Sequence, residues 1–376
     1  MHKKSRNYLV KSNRSLVTLA LAIVLWMTGC DTTNHHTDLS QQENLVLKME
    51  TFEDSLLAAK KGNVEVQLVL GDRYYQGRGV EKNVLEAMKW YDLAAAQGNE
   101  KAKEQLVLIK ANEDWMVTVN GVSFVMKPVK GGTFLMGKDE NEYDESFGPI
   151  HTVTLSTFFI GETEVTQGLW KAVMGSEPTQ SGGWNDHYGK GDNLPAYNLN
   201  WHDCQEFISR LNELTGREFR LPTESEWEFA ARGGKNSKGF KYAGSNNLDE
   251  VGWYWQNSGD RFLQEEDIDW YSDDYGESEM YANNCRPHEV KTLSPNELGV
   301  YDMSGNVHEW CYDRYARYDS KPTVNPQGPE KGDSRVLRGG WYEAFPELCH
   351  VGFRYDYGSK ERHTFTGFRL AFSEKP

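Results

Sequence analysis

The side chains best suited to chemistry in this chain are a few cysteines, histidines and carboxylates. Cys349 stands in the stretch LRGGWYEAFPELCHVGFR, Leu337 to Arg354, where its thiol is either a metal-binding or redox group or a buried core residue. His288, His308 and His350 lack the spacing of two metal-binding histidines on one helical turn. The sequence contains no phosphate-binding loop, nucleophile elbow or catalytic triad signature. Candidate chemistry therefore centres on Cys349.

An export signal is predicted at the amino terminus, in residues 1–29. Basic residues precede the apolar run LVTLALAIVLWM, Leu16 to Met27, which is too short to span a bilayer comfortably. The segment MTGC, Met27 to Cys30, resembles the lipobox of bacterial lipoproteins, although Met27 replaces the usual leucine. The resemblance implies that cleavage leaves Cys30 as a lipid-modified amino terminus, followed by a polar tether over residues 30–45. An uncleaved anchor and an ordinary secretory signal are the alternatives.

Lipidation would place the protein in a bacterial cell envelope, periplasmic or surface-exposed, with the membrane as a partner. The lipid would consume Cys30 and leave an even number of cysteines in an oxidising compartment. Those four cysteines allow three disulfide pairings, and the sequence does not choose among them. They are Cys204, Cys285, Cys311 and Cys349.

Composition indicates a folded, acidic protein. The 376 residues are 38% hydrophobic and 12% aromatic, enough to bury the core of one large domain and a smaller module. The net charge is −15 at pH 7. Because binding to nucleic acid needs clustered Lys and Arg, a nucleic-acid partner is not expected.

A helical repeat is predicted over residues 46–110. The segments AAKKGNVEV, from Ala58, and AAAQGNEKA, from Ala94, are similar, and a spacing in this range is typical of helical-hairpin arrays. The region resembles the Sel1-like repeat, a relative of the tetratricopeptide repeat. These residues are expected to pack one hairpin on the next, in a short module that serves as a spacer or docking surface. The matching positions are Leu70, Gly71, Tyr74, Gly77, Gly79, Ala87, Trp90, Tyr91, Ala94, Ala95 and Gly98.

From about Val117 the pattern changes to short strand-like runs with two clear helices. WHDCQEFISRLNELTG predicts an amphipathic helix that ends at Gly216. Its apolar stripe is expected to contain Cys204, Phe207, Ile208, Leu211 and Leu214. PTESEWEFAARGG predicts a second helix, which begins with a capping box of Thr223 and Glu226 and ends at Gly233 and Gly234. Short strands beside two helices indicate an α+β domain with much loop.

Several segments of this domain, read in order, resemble the formylglycine-generating enzyme family, also called the sulfatase-modifying factor family. The resemblance covers roughly Val117 to Ser373 and implies a C-type-lectin-like fold with little regular secondary structure over residues 117–374. The matching runs are FVMKPVKGGTFLMG, FFIGETEVTQGLWKAVMG, REFRLPTESEWEFAARGG, LSPNELGVYDMSGNVHEW, RVLRGGW and TGFRLAF.

The resemblance also implies what a copper site would need. The copper-dependent members use two cysteines five positions apart, which suits Cu(I) because this soft ion prefers thiolates. Aligned from Gly339 and Gly340, the second cysteine falls on Cys349 and the first on Ala344, whose methyl group cannot bind copper. A one-residue slip would place the pair on Glu343 and Leu348 instead. Copper is therefore not expected, and no adjacent replacement is evident, because His350 would point to the opposite face of an extended strand.

A calcium site is expected from the same resemblance. The family holds calcium near its GNxxEW segment with one side-chain oxygen, two backbone carbonyls and a glutamate, and here Asp302, Gly305, Val307 and Glu309 stand at those positions. Calcium takes about six to eight oxygen ligands, which suits such a loop. The alternative is that Asp302 and Glu309 only cap loop amides.

The missing cysteine favours a binding or scaffolding role over catalysis. The expected partner is a protein, a peptide or a glycan, and the acidic insertion from Arg261 to Met280 is a solvated loop that could present aromatic rings to it. The candidate rings belong to Trp253, Trp255, Trp270 and Tyr271. An oxidase that converts a sulfatase cysteine to formylglycine is the alternative, with Cys349 as its candidate catalytic residue. A structural component of an envelope assembly is the third hypothesis.

Overall fold

Consecutive helices begin the described part of the chain, where the repeat was predicted. The computed structural model describes residues 52–137, 148–178, 183–269, 271–272 and 276–373, so the export signal, Cys30 and Trp270 lie outside the described residues. The helices are α1 (Phe52–Lys60), α2 (Val64–Gln76), α3 (Val84–Ala96) and α4 (Glu100–Asn112). No helix within these ranges combines the length and the apolar composition needed to cross a membrane.

The repeat residues pack as the sequence predicted. Leu70, Ala87 and Ala94 are fully buried. Gly71 is needed because a Cβ atom there would lie 2.5 Å from the ring of Tyr91, so only glycine permits the helices to approach this closely. The Tyr91 hydroxyl then donates a hydrogen bond to Asp72 Oδ1 at 2.7 Å. The predicted packing role is confirmed for these residues, whereas Gly77, Gly79 and Gly98 are exposed in the turns between helices.

Short strands in three sheets form most of the remaining regular structure. The strands are β1 (Trp115–Val119), β2 (Val122–Val129), β3 (Gly132–Met136), β4 (His151–Leu155), β5 (Phe158–Gly161), β6 (Phe219–Arg220), β7 (His308–Arg314), β8 (Thr323–Val324), β9 (Ser334–Arg338), β10 (Arg354–Gly358), β11 (Thr366–Gly367) and β12 (Ala371–Phe372). The sheet orders are β1-β2-β5-β12-β6, β10-β9-β7-β11 and β3-β4-β8. The pairings are antiparallel except β7 with β11 and β4 with β8, which are parallel.

Helices α5 (Gln167–Met174), α6 (Trp201–Thr215), α7 (Glu224–Ala231) and α8 (Glu277–Ala282) accompany these sheets. Asn200 caps α6 in a capping box, and Gly216 ends it at a φ of +65°. Four of the five predicted stripe residues are buried, but Leu214 is 51% exposed, so that part of the prediction is wrong. At about 100° per residue, Leu214 lies about 80° from Cys204, at the edge of the stripe.

Helix α7 packs in the core, and its Trp227 donates a hydrogen bond to Glu309, one of the predicted calcium residues. Its predicted capping box is confirmed. The Thr223 side chain accepts a hydrogen bond from the Glu226 backbone N–H, and the Glu226 side chain accepts one from the Thr223 backbone N–H. Trp227 and Phe229 are buried in a cluster that includes Phe158 of β5. Burial of each ring contributes about 1.5–3 kcal/mol. The short strands, buried helices and separate helical repeat confirm the predicted α+β class.

Candidate functional site

Cys349 lies in a turn and not in a strand. Residues Pro346–Cys349 form a 3₁₀ helix, so the expected extended conformation is wrong. Proline explains the difference, because it has no N–H for a strand ladder and its φ suits the first position of a helical turn. Gly340, with φ +75°, allows the thiol to sit close to the backbone, since a Cβ there would lie 2.7 Å from Cys349 Sγ. Gly340 therefore serves the packing of this cysteine, whereas a Cβ on Gly339 would instead lie 3.2 Å from the Trp227 ring.

An apolar environment surrounds the Cys349 thiol. Cys349 and Ala344 are fully buried in one cluster, with Tyr254 and Trp255. Burial, and then the charge of Glu347, raise the pKa of the Cys349 thiol far above its ordinary value. At neutral pH the group is consequently a thiol and not a thiolate, which is the form that binds metal.

Of the other cysteines, Cys285 and Cys311 belong to different apolar clusters. Cys285 belongs to the same apolar cluster as Cys349, whereas Cys311 belongs to the cluster around α7. The Cys285 thiol donates to the Trp255 carbonyl oxygen at 3.5 Å, and the Trp255 N–H in turn donates to the Ala344 carbonyl. Cys204, Cys285, Cys311 and Cys349 are all free and buried, so no disulfide joins them.

The residues that could replace the missing thiol do not complete a metal site. His350 Nδ1 accepts a hydrogen bond from the Gly352 N–H at 2.8 Å. In the slipped register, Leu348 packs against the apolar cluster, and burial together with Glu277 raises the pKa of Glu343 to about 7. Within the described ranges, no three His, Cys, Asp or Glu side chains are arranged to hold a metal ion.

Three of the predicted calcium residues, Asp302, Gly305 and Val307, lie in the loop before β7, where Asp302 (φ +59°) and Gly305 (φ +83°) have left-handed backbone conformations, whereas Glu309 lies within β7. Asp302 Oδ2 accepts from the Lys291 N–H at 2.8 Å, whereas its buried Oδ1 has no partner. Both oxygens of Glu309 accept from Arg369, each at 2.6 Å, and Oε2 also accepts from Trp227 Nε1 at 2.8 Å. Asp302 thus caps a loop amide, as the alternative predicted, but Glu309 forms an ion pair instead.

Glu164 lies beside Asp302 and Glu309, and the three carboxylates form an acidic centre; Glu164 was not among the residues predicted from sequence. It is almost fully buried, its Oε1 has no partner, and its Oε2 accepts from Asn306 Nδ2 at 3.3 Å. Burial, then Asp302 and Glu309, raise the pKa of Glu164 well above its usual value. Burial likewise raises the pKa of Asp302 to about 6. The unpartnered oxygens of Glu164 and Asp302 have the chemistry that a hard cation requires.

His308 is a second residue that the sequence did not single out for a role. It is fully buried between the rings of Trp341 and Phe353, and both of its ring nitrogens lack a partner. Burial, followed by the charges of Arg338 and His363, lowers the pKa of His308 to about 3. Because most buried polar groups have hydrogen-bond partners, a neutral imidazole without one is unusual in a core.

The aromatic residues around the insertion have different roles. Trp255 is buried, and Trp253 stacks on His288 with their ring centroids 3.7 Å apart. Tyr271 is 99% exposed and available to a partner. Trp255 is therefore a core residue, and the prediction that its ring faces a ligand is wrong.

Comparison with known proteins follows the same division of the chain. The sequence-family model for the sulfatase-modifying factor enzyme 1-like domain matches residues 122–374, and the family model for the Sel1 repeat matches residues 64–99. The chaperone protein LppX of Paenibacillus barcinonensis is 34% identical over 57% of this chain and 77% of its own length. The formylglycine-generating enzyme of Streptomyces coelicolor is 29% identical over 62% of this chain and 82% of its own. Treponema denticola variable protein 1, a solved structure, is 30% identical with a TM-score of 0.58, covering 70% of this chain and 99% of that one.

Proposed function

Because this chain belongs to the sulfatase-modifying factor enzyme family, through residues 122–374, we propose that it is a cell-envelope lipoprotein whose family domain binds or scaffolds a protein, peptide or glycan partner. The Sel1 repeat supplies a second contact surface or a spacer. Fold alone does not decide between binding and catalysis, since related domains carry different activities. The decision depends on the residues near Cys349.

The lone buried thiol of Cys349 carries the proposal. Cu(I) prefers thiolates, and Ala344 offers a methyl group where the oxidase pattern has its other sulfur. The apolar surroundings keep the remaining thiol protonated. The name of LppX, a chaperone, supports a protein-binding role for this type of domain. Attachment through a lipidated Cys30 would hold the domain at a membrane surface.

One observation favours the oxidase alternative. Cys285 lies in the same apolar cluster as Cys349, so it is the described cysteine best placed to act as a substitute ligand. Its pKa is also raised by burial, and its thiol already bonds to the Trp255 carbonyl. Copper binding by this pair would require both thiols to lose their protons in an apolar core, which is energetically unfavourable.

Oxidation of a peptide cysteine tests the proposal. The full chain in detergent is incubated with Cu(I), oxygen and a cysteine-containing sulfatase-motif peptide, and the aldehyde product is sought by mass spectrometry. The Streptomyces coelicolor enzyme serves as the positive control. We expect no aldehyde from this protein. Product that disappears in Cys349→Ala would show that the chain is an oxidase.

We further propose that calcium binds at the acidic centre and stabilises its loop. Asp302 and Glu164 would supply carboxylate oxygens, and the backbone carbonyls of Gly305 and Val307 would add ligands. Glu309 fits less well, since Arg369 occupies both of its oxygens. The ion would have a structural role.

Calcium should raise the melting temperature by about 5 °C at a concentration about 100-fold above its dissociation constant, relative to chelator. Asp302→Asn should abolish this response, because it weakens the ligand without disturbing the Glu309 ion pair. The exposed Asp186→Asn is the matched control and should retain it. Identical melting with calcium and chelator in the unmodified protein would refute the calcium proposal.

A further inference from the structure

A cleft lies where the three sheets meet, and it shares no residue with the cluster around Cys349. Its volume is about 540 Å³. Leu155 at the end of β4, Arg220 of β6 and Tyr312 of β7 each contribute to its lining. Because small-molecule sites have volumes of about 300–1,000 Å³, the cleft has room for a compact ligand but lacks the wide surface of a protein interface.

The charged groups of the cleft neutralise each other. Arg220 forms a two-point ion pair with Glu226, through Nη1 to Oε2 at 2.6 Å and Nη2 to Oε1 at 2.7 Å. The guanidinium also donates to the Leu221 carbonyl and, at 2.5 Å, to Ser373 Oγ. Glu226 Oε2 accepts in addition from the Thr223 N–H. Neither an anion nor a cation would find an uncompensated charge in this pair.

The rest of the cleft combines an aromatic ring with neutral polar groups. Tyr312, a residue that is 41% exposed, contributes to the lining. Asn325 bridges to Ser156, where its Oδ1 accepts from the backbone N–H and its Nδ2 donates to Oγ. Ser156 Oγ and Ser373 Oγ therefore act as acceptors within the protein and have their hydroxyl protons available to a ligand. Gln327 adds an exposed amide.

We infer that this cleft binds a neutral saccharide unit. A sugar offers hydroxyl groups that both donate and accept, which match hydroxyl and amide side chains, and a C–H face that packs on a tyrosine ring. A purely apolar ligand that covered the Ser156 and Ser373 hydroxyls would give their protons no acceptor, at a cost of about 1–3 kcal/mol each if they became buried. The inference deepens the proposed binding function, on which it rests, by naming one ligand class and its location.

Binding of defined sugars by the full chain tests this inference. The protein is purified in a detergent without a sugar headgroup and titrated with neutral trisaccharides of glucose, mannose and N-acetylglucosamine. A uronic acid trisaccharide and an uncharged tripeptide serve as comparison ligands. Calorimetry and saturation-transfer NMR should detect at least one neutral sugar with a dissociation constant of about 1 mM or lower.

Two tyrosines provide a matched pair of variants. Tyr312→Ala should weaken sugar binding about tenfold or more. Tyr355→Ala should leave it unchanged, because that ring is similarly exposed, at 43%, but does not line the cleft. Gln327→Ala, at an exposed position, gives an independent reduction in affinity if Tyr312→Ala proves unstable.

Three results would overturn the inference. They are an absence of sugar binding at millimolar concentration, preference for the uronic acid or the tripeptide, and sugar binding that survives both Tyr312→Ala and Gln327→Ala. None of these results would bear on the lone-thiol argument, which the aldehyde experiment tests separately. Aldehyde formation, conversely, would refute the proposed function whether or not the sugar binds.

Discussion

Replacing Arg369 with methionine should lower the free energy of unfolding by about 3–5 kcal/mol. Arg369 is fully buried, and its Nε and Nη2 both donate to Glu309 at 2.6 Å. Its remaining donors bind the carbonyls of Gly161 and Tyr301 at 3.0 and 2.9 Å. Loss of the guanidinium leaves the Glu309 carboxylate buried without its counter-charge, beside Glu164. Urea denaturation of the two proteins measures the difference.

Arg210→Met is the matched control for this substitution. Arg210 pairs with Glu206 at 2.8 Å, but the two side chains are 47% and 56% exposed. An exposed pair contributes about 0–1 kcal/mol, so this variant should be nearly as stable as the unmodified protein. If Arg369→Met alone fails to fold, Arg369→Met with Glu309→Gln should recover part of the loss, because the second change removes the unpaired charge. Equal stability of the Arg369 and Arg210 variants would contradict this description of the acidic centre.

Gly305→Ala should lower the free energy of unfolding by about 3 kcal/mol or more, from backbone strain and overlap together. Gly305 has a φ of +83°, and a Cβ there would overlap the Trp253 carbonyl oxygen. That oxygen is fixed because it accepts from the Asn306 N–H at 2.8 Å, while the Gly305 N–H donates to the Gly339 carbonyl at 2.7 Å. Neither backbone segment can move without breaking these bonds. Chemical denaturation gives the measurement.

Gly175→Ala is the control that separates the cost of backbone strain at positive φ from the cost of steric overlap by the new Cβ atom. Gly175 has a φ of +79°, close to that of Gly305, but a Cβ there would meet no atom within 4 Å. Its substitution should cost only the backbone term of about 1–2 kcal/mol. A Gly305→Ala loss no larger than that of Gly175→Ala would show that the loop accommodates a side chain. Such a result would also weaken the view that this loop is rigid enough to present its carbonyls to an ion.

Local features of this fold were predictable from sequence because they depend on neighbouring residues. The capping box of Thr223 and Glu226 spans three positions, and Gly216 ends α6 through its own backbone conformation. The repeat is recognisable because its packing residues recur within one hairpin after another. The prediction that Ala344 replaces a family cysteine also depends on neighbouring residues, since it needs only a short alignment from Gly339 and Gly340.

The acidic centre was only partly predictable, because it assembles from distant segments. Glu164 and Asn306 are 142 residues apart in the chain, and Glu309 and Arg369 are 60 apart. No periodicity or spacing links such pairs. The ion pair of Glu309 with Arg369 and the contribution of Glu164 therefore do not follow from sequence, and the role of Glu309 as a calcium ligand stays a prediction.

The surroundings of the thiol depend on tertiary packing in the same way. Sequence showed Cys349 and its missing partner but not the raised pKa, which results from the enclosing apolar cluster. It also could not show that Cys285, and not Cys311, shares that cluster. Burial of His308 similarly depends on distant segments, because Trp341, Phe353 and Tyr355 of β10 all contact its imidazole.

Cu(I) affinity tests the central claim, that one buried thiol does not make an oxidase centre, most directly. The full chain and Ala344→Cys are titrated under anaerobic conditions against a chromogenic Cu(I) chelator, with Cys349→Ala as the control. We expect the unmodified protein to take no copper from the chelator, and Ala344→Cys to bind about one equivalent because a second thiolate becomes available. One equivalent of copper bound tightly by the unmodified protein, and lost in Cys349→Ala, would contradict the account.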